Sequence, residues 1–389
     1  MSLRQDVLDQ VRRYWGFDSL RPMQAEAIGA GVDGRDSLVV MPTGGGKSLC
    51  YQVPPLVTGK LSVVVSPLIA LMKDQVDALK LAGYPAEAMH SNLEPEELDA
   101  IRRSVERGEV RLLLVAPERL FSYGFIGWLK SVGVGSFAID EAHCISQWGH
   151  DFRPEYRRLA EVRDRFPEIA FHAYTATATP KVQDDIIEQL RLRDPVKLVG
   201  RFDRPNLTYR ILPRVKIIEQ ATEALMRHED RAAIVYCLSR KDTETLSEGL
   251  RARGIDARAY HAGLSAKERS RVSERFKTER LNVVVATVAF GMGIDRGDVR
   301  CVVHAAMPRT VEGYQQETGR AGRDGLPAEC VMLYSSADVS RWTRIMESSA
   351  EETGASPEYL AQQKRMLEEM RRMAAGGLCR HRALSEYFG

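Results

Sequence analysis

Short apolar runs of strand length alternate with longer amphipathic stretches along most of the chain. Between the runs, apolar residues recur at helical spacing, as in Ala70–Ala82 and Pro95–Arg107. This alternation is typical of a parallel sheet with helices on both faces, so the sequence predicts an α/β fold. In the first half the predicted strands are Ser37–Met41, Leu61–Ser66, Arg111–Ala116, Ser136–Asp140, Ala170–Tyr174 and Val196–Gly200.

The alternation stops and then begins again. Residues 201–206, Arg-Phe-Asp-Arg-Pro-Asn, are charged and contain a proline, which indicates a linker. We therefore predict two tandem α/β domains at residues 1–202 and 203–342, followed by a helical tail at 343–389 whose helix begins after Ser356. Beyond the linker the predicted strands are Ala233–Cys237, Ala257–Tyr260, Asn282–Thr287, Val299–His304 and Glu329–Tyr334.

Composition narrows the class of protein. The 389 residues are 44% hydrophobic, enough to bury the cores of two domains. The formal net charge is only +2, so any contact with nucleic acid must come from local grooves and not from a polybasic arm. Six scattered cysteines suit the reduced thiols of a cytoplasmic protein. No apolar run approaches membrane-spanning length, so we expect no membrane partner.

A glycine-rich turn joins the first predicted strand to a helix. Its sequence from Met41 is Met-Pro-Thr-Gly-Gly-Gly-Lys-Ser. Successive glycines let backbone N–H groups turn toward an anion, and the helix adds the positive end of its dipole. The generic pattern G-x-x-x-x-G-K-[ST] has glycine where this chain has Met41, a mild departure. The candidate phosphate-binding residues are Thr43, Gly44, Gly45, Gly46, Lys47 and Ser48.

The turn predicts an ATP site with Mg²⁺. Lys47 is expected to reach the β- and γ-phosphates, and the Ser48 hydroxyl to bind the metal. Asp140 follows a strand that we place in the same sheet, where an acid is positioned to hold Mg²⁺. Glu141 would polarise the attacking water, and His143 would sense the γ-phosphate or the opposite domain. A solvated acidic turn is the alternative for these last three residues.

Residues 17–24, Phe-Asp-Ser-Leu-Arg-Pro-Met-Gln, are a candidate site for the base of the nucleotide. Phe17 could stack on the base with help from Arg21. Gln24 offers both the donor and the acceptor that an adenine edge requires. Taken alone this signal is weak, because an aromatic residue and an arginine near a proline are common in sequences of every kind.

Together these segments resemble the RecQ family of superfamily 2, DEAH-box helicases. The resemblance implies two RecA-like domains that use ATP and Mg²⁺ to separate DNA strands in the 3′-to-5′ direction, in recombination and repair. It extends from about residue 5 to 345. The matching segments, in family order, are Met41–Gln52, Ser66–Gln75, Asp140–Arg153, Tyr174–Ala178, Ala286–Asp295 and Tyr314–Gly325.

Ile145–Pro154 resembles the aromatic-rich loop through which the family couples contact with single-stranded DNA to hydrolysis. Trp148 and Phe152 offer π-faces to bases of any sequence, and Arg153 can meet a phosphate or the nucleotide site. An aromatic cluster packed in the core is the alternative. Thr175 and Thr177 match the family's coupling segment and could hydrogen-bond the acid of the DEAH segment. From chemistry alone, these threonines are an ordinary strand end.

In the second domain, Arg320 and Arg323 are three residues apart, so we expect them to share one helical face. The resemblance implies that Arg323 is an arginine finger, that Arg320 supports the γ-phosphate site, and that Gln316 helps to position it. A basic surface turn is the alternative. Asp295, in a glycine-containing segment expected near DNA phosphates, is a candidate contact to the ribose or to a catalytic arginine.

The tail resembles the start of the family's four-cysteine zinc module. Cys379 alone cannot form a closed tetrahedral site, so zinc is expected only in a longer chain. We therefore expect a truncated core in which Leu378–Gly389 is poorly held and duplex unwinding is weak.

The predicted partners are single-stranded and forked DNA and a single-strand-binding protein, acting with a monomeric motor. Two rivals remain, namely a nucleic-acid-binding scaffold with a degenerate ATP site and an RNA-directed ATPase of the same superfamily. The intact set Lys47, Ser48, Asp140, Glu141 and Arg323 speaks against the first rival, and the Trp148 loop against the second.

Overall fold

Two structural units, Met1–Arg201 and Phe202–Gly389, make up the chain in the computed structural model. The structure describes residues 5–288, 290 and 296–389. The break between the units falls inside the charged segment at 201–206, and the tail is part of the second unit. Among the described helices, none is both long enough and apolar enough to cross a membrane.

Unit 1 is built on a parallel sheet in the order β3-β4-β2-β5-β6-β1-β7 within the described residues. All six predicted strands are confirmed to within two residues at each end. The sequence did not predict β3, because Ala-Glu-Ala-Met lacks the β-branched and aromatic residues that favour strands. The strands are β1 Ser37–Val40, β2 Leu61–Val65, β3 Ala86–Met89, β4 Leu112–Val115, β5 Val134–Ile139, β6 Ala170–Thr175 and β7 Val196–Val199.

Helices cover this sheet. The central strands β1, β2 and β4 are buried along their whole length and rich in valine and leucine, as a sheet covered on both faces requires. The helices are α1 Gln5–Trp15, α2 Gln24–Val32, α3 Lys47–Gln52, α4 Pro54–Thr58, α5 Ile69–Leu81, α6 Pro95–Glu106, α7 Pro117–Leu120, α8 Phe125–Val132, α9 Pro154–Arg157, α10 Leu159–Arg165 and α11 Pro180–Gln189, with a 3-10 helix at Ala142–Ile145.

Unit 2 has a second parallel sheet, in the order β10-β11-β9-β12-β13-β8 within the described residues. The edge strand β8 was not predicted, because the charges and proline just before it look like a linker. Its first residue, Leu207, is buried and pairs with Ala328. The strands are β8 Leu207–Pro213, β9 Ala232–Tyr236, β10 Ala257–Tyr260, β11 Val283–Ala286, β12 Val299–His304 and β13 Ala328–Tyr334.

The helices of unit 2 include the predicted tail helix. It begins as expected, since the Ser356 hydroxyl accepts a hydrogen bond from the backbone N–H of Tyr359 at 3.2 Å. Its apolar side is a packed face, with Met366 and Met370 buried. The helices are α12 Ile217–Met226, α13 Arg240–Arg251, α14 Ala266–Lys277, α15 Val311–Thr318, α16 Ala337–Thr353, α17 Pro357–Ala375 and α18 Arg380–Phe388.

Helix α18 is packed against the rest of unit 2, so the prediction that Leu378–Gly389 is poorly held needs correction for residues 380–388, while Leu378 and Cys379 are exposed. Helix α18 buries Leu384 and Phe388. The Phe388 ring stacks on Phe202, with the ring centroids 4.5 Å apart. The sequence concealed this packing because Phe202, the partner of Phe388, lies in a segment that looks like an exposed linker.

Candidate active site

The phosphate loop, residues 41–48, leaves the carboxyl end of β1 and enters α3. Gly44 and Gly46 have φ values of 82° and 84°, in the left-handed region that favours glycine. A Cβ atom at Gly45 would lie 2.6 Å from Cγ of the buried Met41. Met41 therefore fills the space beneath the loop. The pattern has glycine at this position, and the larger Met41 fits here because Gly45 has no side chain.

Lys47 is folded over this loop. Its Nζ donates to the Met41 carbonyl at 3.3 Å. The side chains of Thr43 and Ser48 are half-buried around the same turn. The loop thus gathers an ammonium group, a hydroxyl group and glycine backbone in the arrangement that suits a bound polyphosphate.

Gln24 is tied to the phosphate loop. Its Oε1 accepts from the Arg21 backbone N–H at 2.7 Å, and its Nε2 donates to the Gly46 carbonyl at 3.1 Å. The Arg21 guanidinium donates to the Gly44 carbonyl. The Gln24 amide, predicted to contact an adenine edge, thus uses one acceptor and one donor position on the chain itself, and it retains a second N–H and a second oxygen lone pair. Phe17 is 53% exposed, so its ring remains accessible.

The two acids follow β5, two strands from β1. Asp140 is buried, and its backbone N–H donates to the Val65 carbonyl at 2.9 Å. Burial, and then the charge of Glu141, raise the pKa of Asp140, while Lys47 opposes the shift. Glu141 has a φ of 48°, and its buried Oε2 lies 3.4 Å from His143 Nδ1.

These donors fit Mg²⁺. The Ser48 hydroxyl and the Asp140 carboxylate are the hard oxygen ligands that Mg²⁺ prefers. A nearby cation would also favour the ionised form of a buried carboxylate whose pKa burial has raised. A second cluster, His143, Cys144 and Asp151, has ligand atoms within 4.8 Å of one another. It suits a cation less well, because Arg153 already pairs with Asp151.

His143 connects the acidic segment to β6. Its Nδ1 is 2.8 Å from Thr175 Oγ1, which also accepts from the Thr177 backbone N–H at 3.2 Å. The threonines were predicted to bond the acid of the DEAH segment, but the partner of Thr175 is this imidazole. Burial lowers the pKa of His143 to about 4, so the ring is neutral at pH 7. The predicted coupling residues therefore meet within unit 1.

The aromatic-rich loop presents Trp148 at the surface, 37% exposed. The ammonium of Lys181, on α11, lies 3.0 Å from the centroid of its ring. Phe152 is half-buried, and the Arg157 guanidinium lies 5.7 Å from its centroid. The core-packing alternative therefore fails for Trp148. Sequence reasoning missed Lys181, although its position directly after Thr-Pro at the start of a helix placed it near the coupling segment.

The loop is anchored beside Trp148. Ser146 Oγ donates to Asp185 at 2.5 Å and accepts from the Trp148 backbone N–H at 3.2 Å. Arg153, predicted to meet a phosphate or the nucleotide, donates to Asp151 at 3.1 Å and to the Pro67 carbonyl at 3.0 Å. Its position makes Arg153 a link between the aromatic loop and the loop that follows β2.

In unit 2 the two arginines lie in a turn and not on a helix. Helix α15 ends at Thr318, and the arginine turn, residues 319–325, follows it. The predicted shared helical face is wrong because Gly322, with φ of 55°, takes the chain out of helical geometry. Gln316 is half-buried on α15, and Arg320 is buried.

Tyr236, at the end of β9, lies beside the arginine turn and was not singled out in the sequence. Burial raises its pKa to about 12, and Arg320 and Arg323 are among the neighbours that oppose the shift. Below it, His304 Nε2 lies 2.8 Å from Glu317 Oε2 in a buried pair. Asp295 lies outside the described residues.

Comparisons with known proteins define the class. The sequence model of the DEAD/DEAH box helicase family matches residues 21–186. The sequence model of the helicase conserved C-terminal domain family matches residues 215–325. The two matches fall one in each unit, as expected for a helicase of this class.

Relatives then define the family. The chain is 43% identical over 387 residues to the ATP-dependent DNA helicase RecQ of Pasteurella multocida, covering 100% of this chain and 60% of that protein. It is 41% identical over 381 residues to the Bacillus subtilis protein of the same name, covering 97% of this chain and 63% of that protein. The chain is similar along its whole length to helicases of the RecQ family. It spans about three fifths of the length of these bacterial relatives.

Solved structures agree on the fold. The Mycobacterium smegmatis helicase Lhr bound to ssDNA and AMP-PNP matches with a TM-score of 0.66 and 22% identity, over 91% of this chain and 50% of that one. The DUF1998 helicase MrfA bound to DNA matches with a TM-score of 0.71 and 20% identity, over 96% of this chain and 54% of that one. These likenesses confirm the predicted fold class of two parallel-sheet α/β units with a helical C-terminal part.

Proposed function

We propose that this chain is an ATP- and Mg²⁺-dependent motor that moves 3′-to-5′ along single-stranded DNA and separates duplex strands. The observation that carries the proposal is in unit 1. A phosphate loop with Lys47 follows one strand of the sheet, and the buried Asp140 and half-buried Glu141 follow another strand of the same sheet, with the exposed Trp148 a few residues further on. Nucleotide chemistry and a base-stacking surface thus share one short stretch of chain.

The phosphate loop would bind the nucleotide. Its backbone N–H groups and Lys47 would contact the phosphates, and Ser48 and Asp140 would hold Mg²⁺, which neutralises charge on the phosphate oxygens. Glu141 is the proposed general base, because its carboxylate directly follows Asp140 and its Oε2 lies 3.4 Å from His143 Nδ1, which would hold it in place to orient the attacking water and accept a proton from it. Phe17 is the proposed stacking partner of the base.

Contact with DNA would reach this chemistry through the aromatic loop. A base stacked on Trp148 contributes about 1–3 kcal/mol without regard to sequence. The loop continues directly from the 3-10 helix that carries His143, which is bonded to Thr175. Movement of the loop on binding a strand would therefore shift the segment that holds Glu141.

Unit 2 would supply positive charge to the phosphoryl group in transfer. Arg323 is the proposed arginine finger, an element worth about 10³–10⁵ in rate, with Arg320 and Gln316 in support. Asp295 remains a proposed contact to the ribose or to an arginine. We further propose forked DNA as a substrate in recombination and repair, a single-strand-binding protein as partner, a monomeric motor and a cytoplasmic location.

Hydrolysis of ATP with single-stranded DNA, RNA or no nucleic acid tests this function. DNA should stimulate turnover more than RNA does. Lys47→Ala should lower the stimulated rate by about 10²–10³-fold, because it removes a phosphate contact and no core packing. Lys60→Ala, at an exposed position of the same unit, should match the parent.

Three outcomes separate the rivals. Full turnover by Lys47→Ala would refute the phosphate-loop assignment. DNA binding without hydrolysis in the parent would favour the nucleic-acid-binding scaffold. Greater stimulation by RNA would favour the RNA-directed ATPase.

A further inference from the structure

The charged segment at 201–206 bonds directly to the arginine turn. Arg204 Nη2 donates to the Ala321 carbonyl at 3.0 Å and to the Gly322 carbonyl at 2.8 Å. Asn206 Nδ2 donates to the Gly322 carbonyl at 3.0 Å and to the Leu326 carbonyl at 3.0 Å. The sequence indicated only a linker here, but the segment supplies three hydrogen bonds to the turn that carries both arginines and a fourth to Leu326, the next residue.

The contacted carbonyls are at the centre of that turn. Ala321 and Gly322 lie between Arg320 and Arg323, so the position of this backbone sets the positions of both arginine Cα atoms, from which the side chains extend. The turn lies outside α15. Within it the Gly322 carbonyl accepts from the Gly325 backbone N–H at 3.0 Å, and Arg204 and Asn206 add donors from outside the turn. The fit is also close, because a Cβ atom at Gly322 would lie 2.5 Å from Asn206 Nδ2.

The segment is itself held at both ends. Phe202 is stacked on Phe388 of α18, and Asp203 Oδ1 is 2.7 Å from His381 Nδ1 of the same helix. At the other end, the Asn206 carbonyl accepts from the Ala328 backbone N–H at 3.0 Å, where β8 joins β13. A segment fixed by a helix and by a sheet can hold the turn in a single position.

We propose that Arg204 and Asn206 are positioning residues that hold the backbone of the arginine turn so that Arg320 and Arg323 are correctly placed. This inference rests on the proposed function, in which Arg323 is an arginine finger. The two positioning residues act through the turn and take no part in the chemistry. A purely structural alternative is that they only anchor the start of β8.

The experiment uses Asn206→Asp, which keeps the size and the Oδ1 acceptor but replaces the Nδ2 donor by an oxygen facing two carbonyls. The matched control is Asn282→Asp, where Nδ2 donates to the Asp230 carbonyl at 3.1 Å in the same unit. Asn206→Asp should lower kcat of DNA-stimulated ATP hydrolysis by about 10–100-fold, because a misplacement near 1 Å can cost about 10²-fold. Nucleotide affinity should stay within about twofold of the parent, because the phosphate loop is untouched.

Two further measurements separate positioning from anchoring. In an Arg323→Ala background, Asn206→Asp should cause no further loss, because residues that act as a unit are not additive. Amide hydrogen exchange at residues 319–326 should become faster in Asn206→Asp and not in Asn282→Asp, whatever the activity of the chain.

Each result bears on one claim. Unchanged exchange at 319–326, a kcat equal to that of Asn282→Asp, or a loss that simply adds to that of Arg323→Ala would overturn the inference. Full turnover by Arg323→Ala alone, with faster exchange in Asn206→Asp, would instead refute the assignment of the finger and leave the support of the turn established.

Discussion

In unit 1 the candidate site residues at the sheet edge are bonded largely to one another and to nearby loops, whereas in unit 2 the arginine turn is supported by a distant part of the chain. Gln24 reaches Gly46 across 22 positions, and His143 reaches Thr175 across 32. Asn206 reaches Gly322 across 116. The difference teaches that the motifs of unit 1 contain most of their own support, while those of unit 2 depend on residues outside any motif.

The largest expected effect is on the stability of unit 2, and it tests whether this unit depends on the helix α18 at the end of the tail. Phe388→Ala removes a buried ring that stacks on Phe202, and it should lower the free energy of unfolding of unit 2 by about 3–5 kcal/mol. Unit 1 should be unaffected. Denaturant unfolding followed by hydrogen exchange in each unit gives the measurement.

Leu378→Ala is the control, because Leu378 is 57% exposed in the same tail. Equal stability of the Phe388 and Leu378 variants would show that α18 does not support unit 2, and the contrast between the units would lose its basis.

A smaller effect is expected in the aromatic loop of unit 1. Trp148→Ala combined with Phe152→Ala removes stacking worth about 1–3 kcal/mol per base, so stimulation of hydrolysis by single-stranded DNA should collapse while basal hydrolysis persists. Tyr123→Ala, at a fully exposed aromatic residue of the same unit, should retain stimulation. Stimulation of the double variant to the parent's level would mean that the two rings only pack, and that coupling in unit 1 runs elsewhere.

The smallest effect concerns pH and has opposite signs in the two units. Burial lowers the pKa of His172, whose Nδ1 lies 2.9 Å from Ser37 Oγ, to about 4. The neutral ring therefore stabilises unit 1 above its unfolded pKa near 6.5, and this contribution is lost as the pH falls toward 4. Burial raises the pKa of Glu312, which accepts from Tyr387 Oη at 2.8 Å. That contribution is present at low pH and is lost as the pH rises through the raised pKa.

Unfolding of each unit measured between pH 4 and 9 would test these signs. His172→Gln should flatten the profile of unit 1 as the pH falls below about 6.5. Glu312→Gln should flatten the profile of unit 2 as the pH rises above the ordinary pKa of a glutamate. Each effect should be at most about 1.4 kcal/mol per pH unit. Glu369, which also accepts from Tyr387 at 3.1 Å, shares the second cluster and adds to the shift. Parallel pH profiles for variant and parent would contradict the assigned protonation states.

Sequence reasoning found the fold, and it singled out candidate residues whose signal is local. Lys47 and Asp140 stood out because spacing within a dozen residues defines each of their motifs. The support by Arg204 was hidden, because a hydrogen bond to Gly322 across 118 positions leaves no local pattern. The engagement of Gln24 was missed for a related reason, since a side chain that can read a base can equally bond a nearby carbonyl.

The lysine over Trp148 makes the proposed contact with DNA an exchange of partners. Lys181 Nζ lies 3.0 Å from the ring centroid, so one face of the indole is already in contact with a cation. A nucleobase that stacks on this face must displace the ammonium group. The free energy lost with the cation–π contact is then subtracted from the free energy gained by stacking. The displaced lysine then becomes a free charge beside a polyanion, so the same event would add a phosphate contact and steepen the salt dependence of binding.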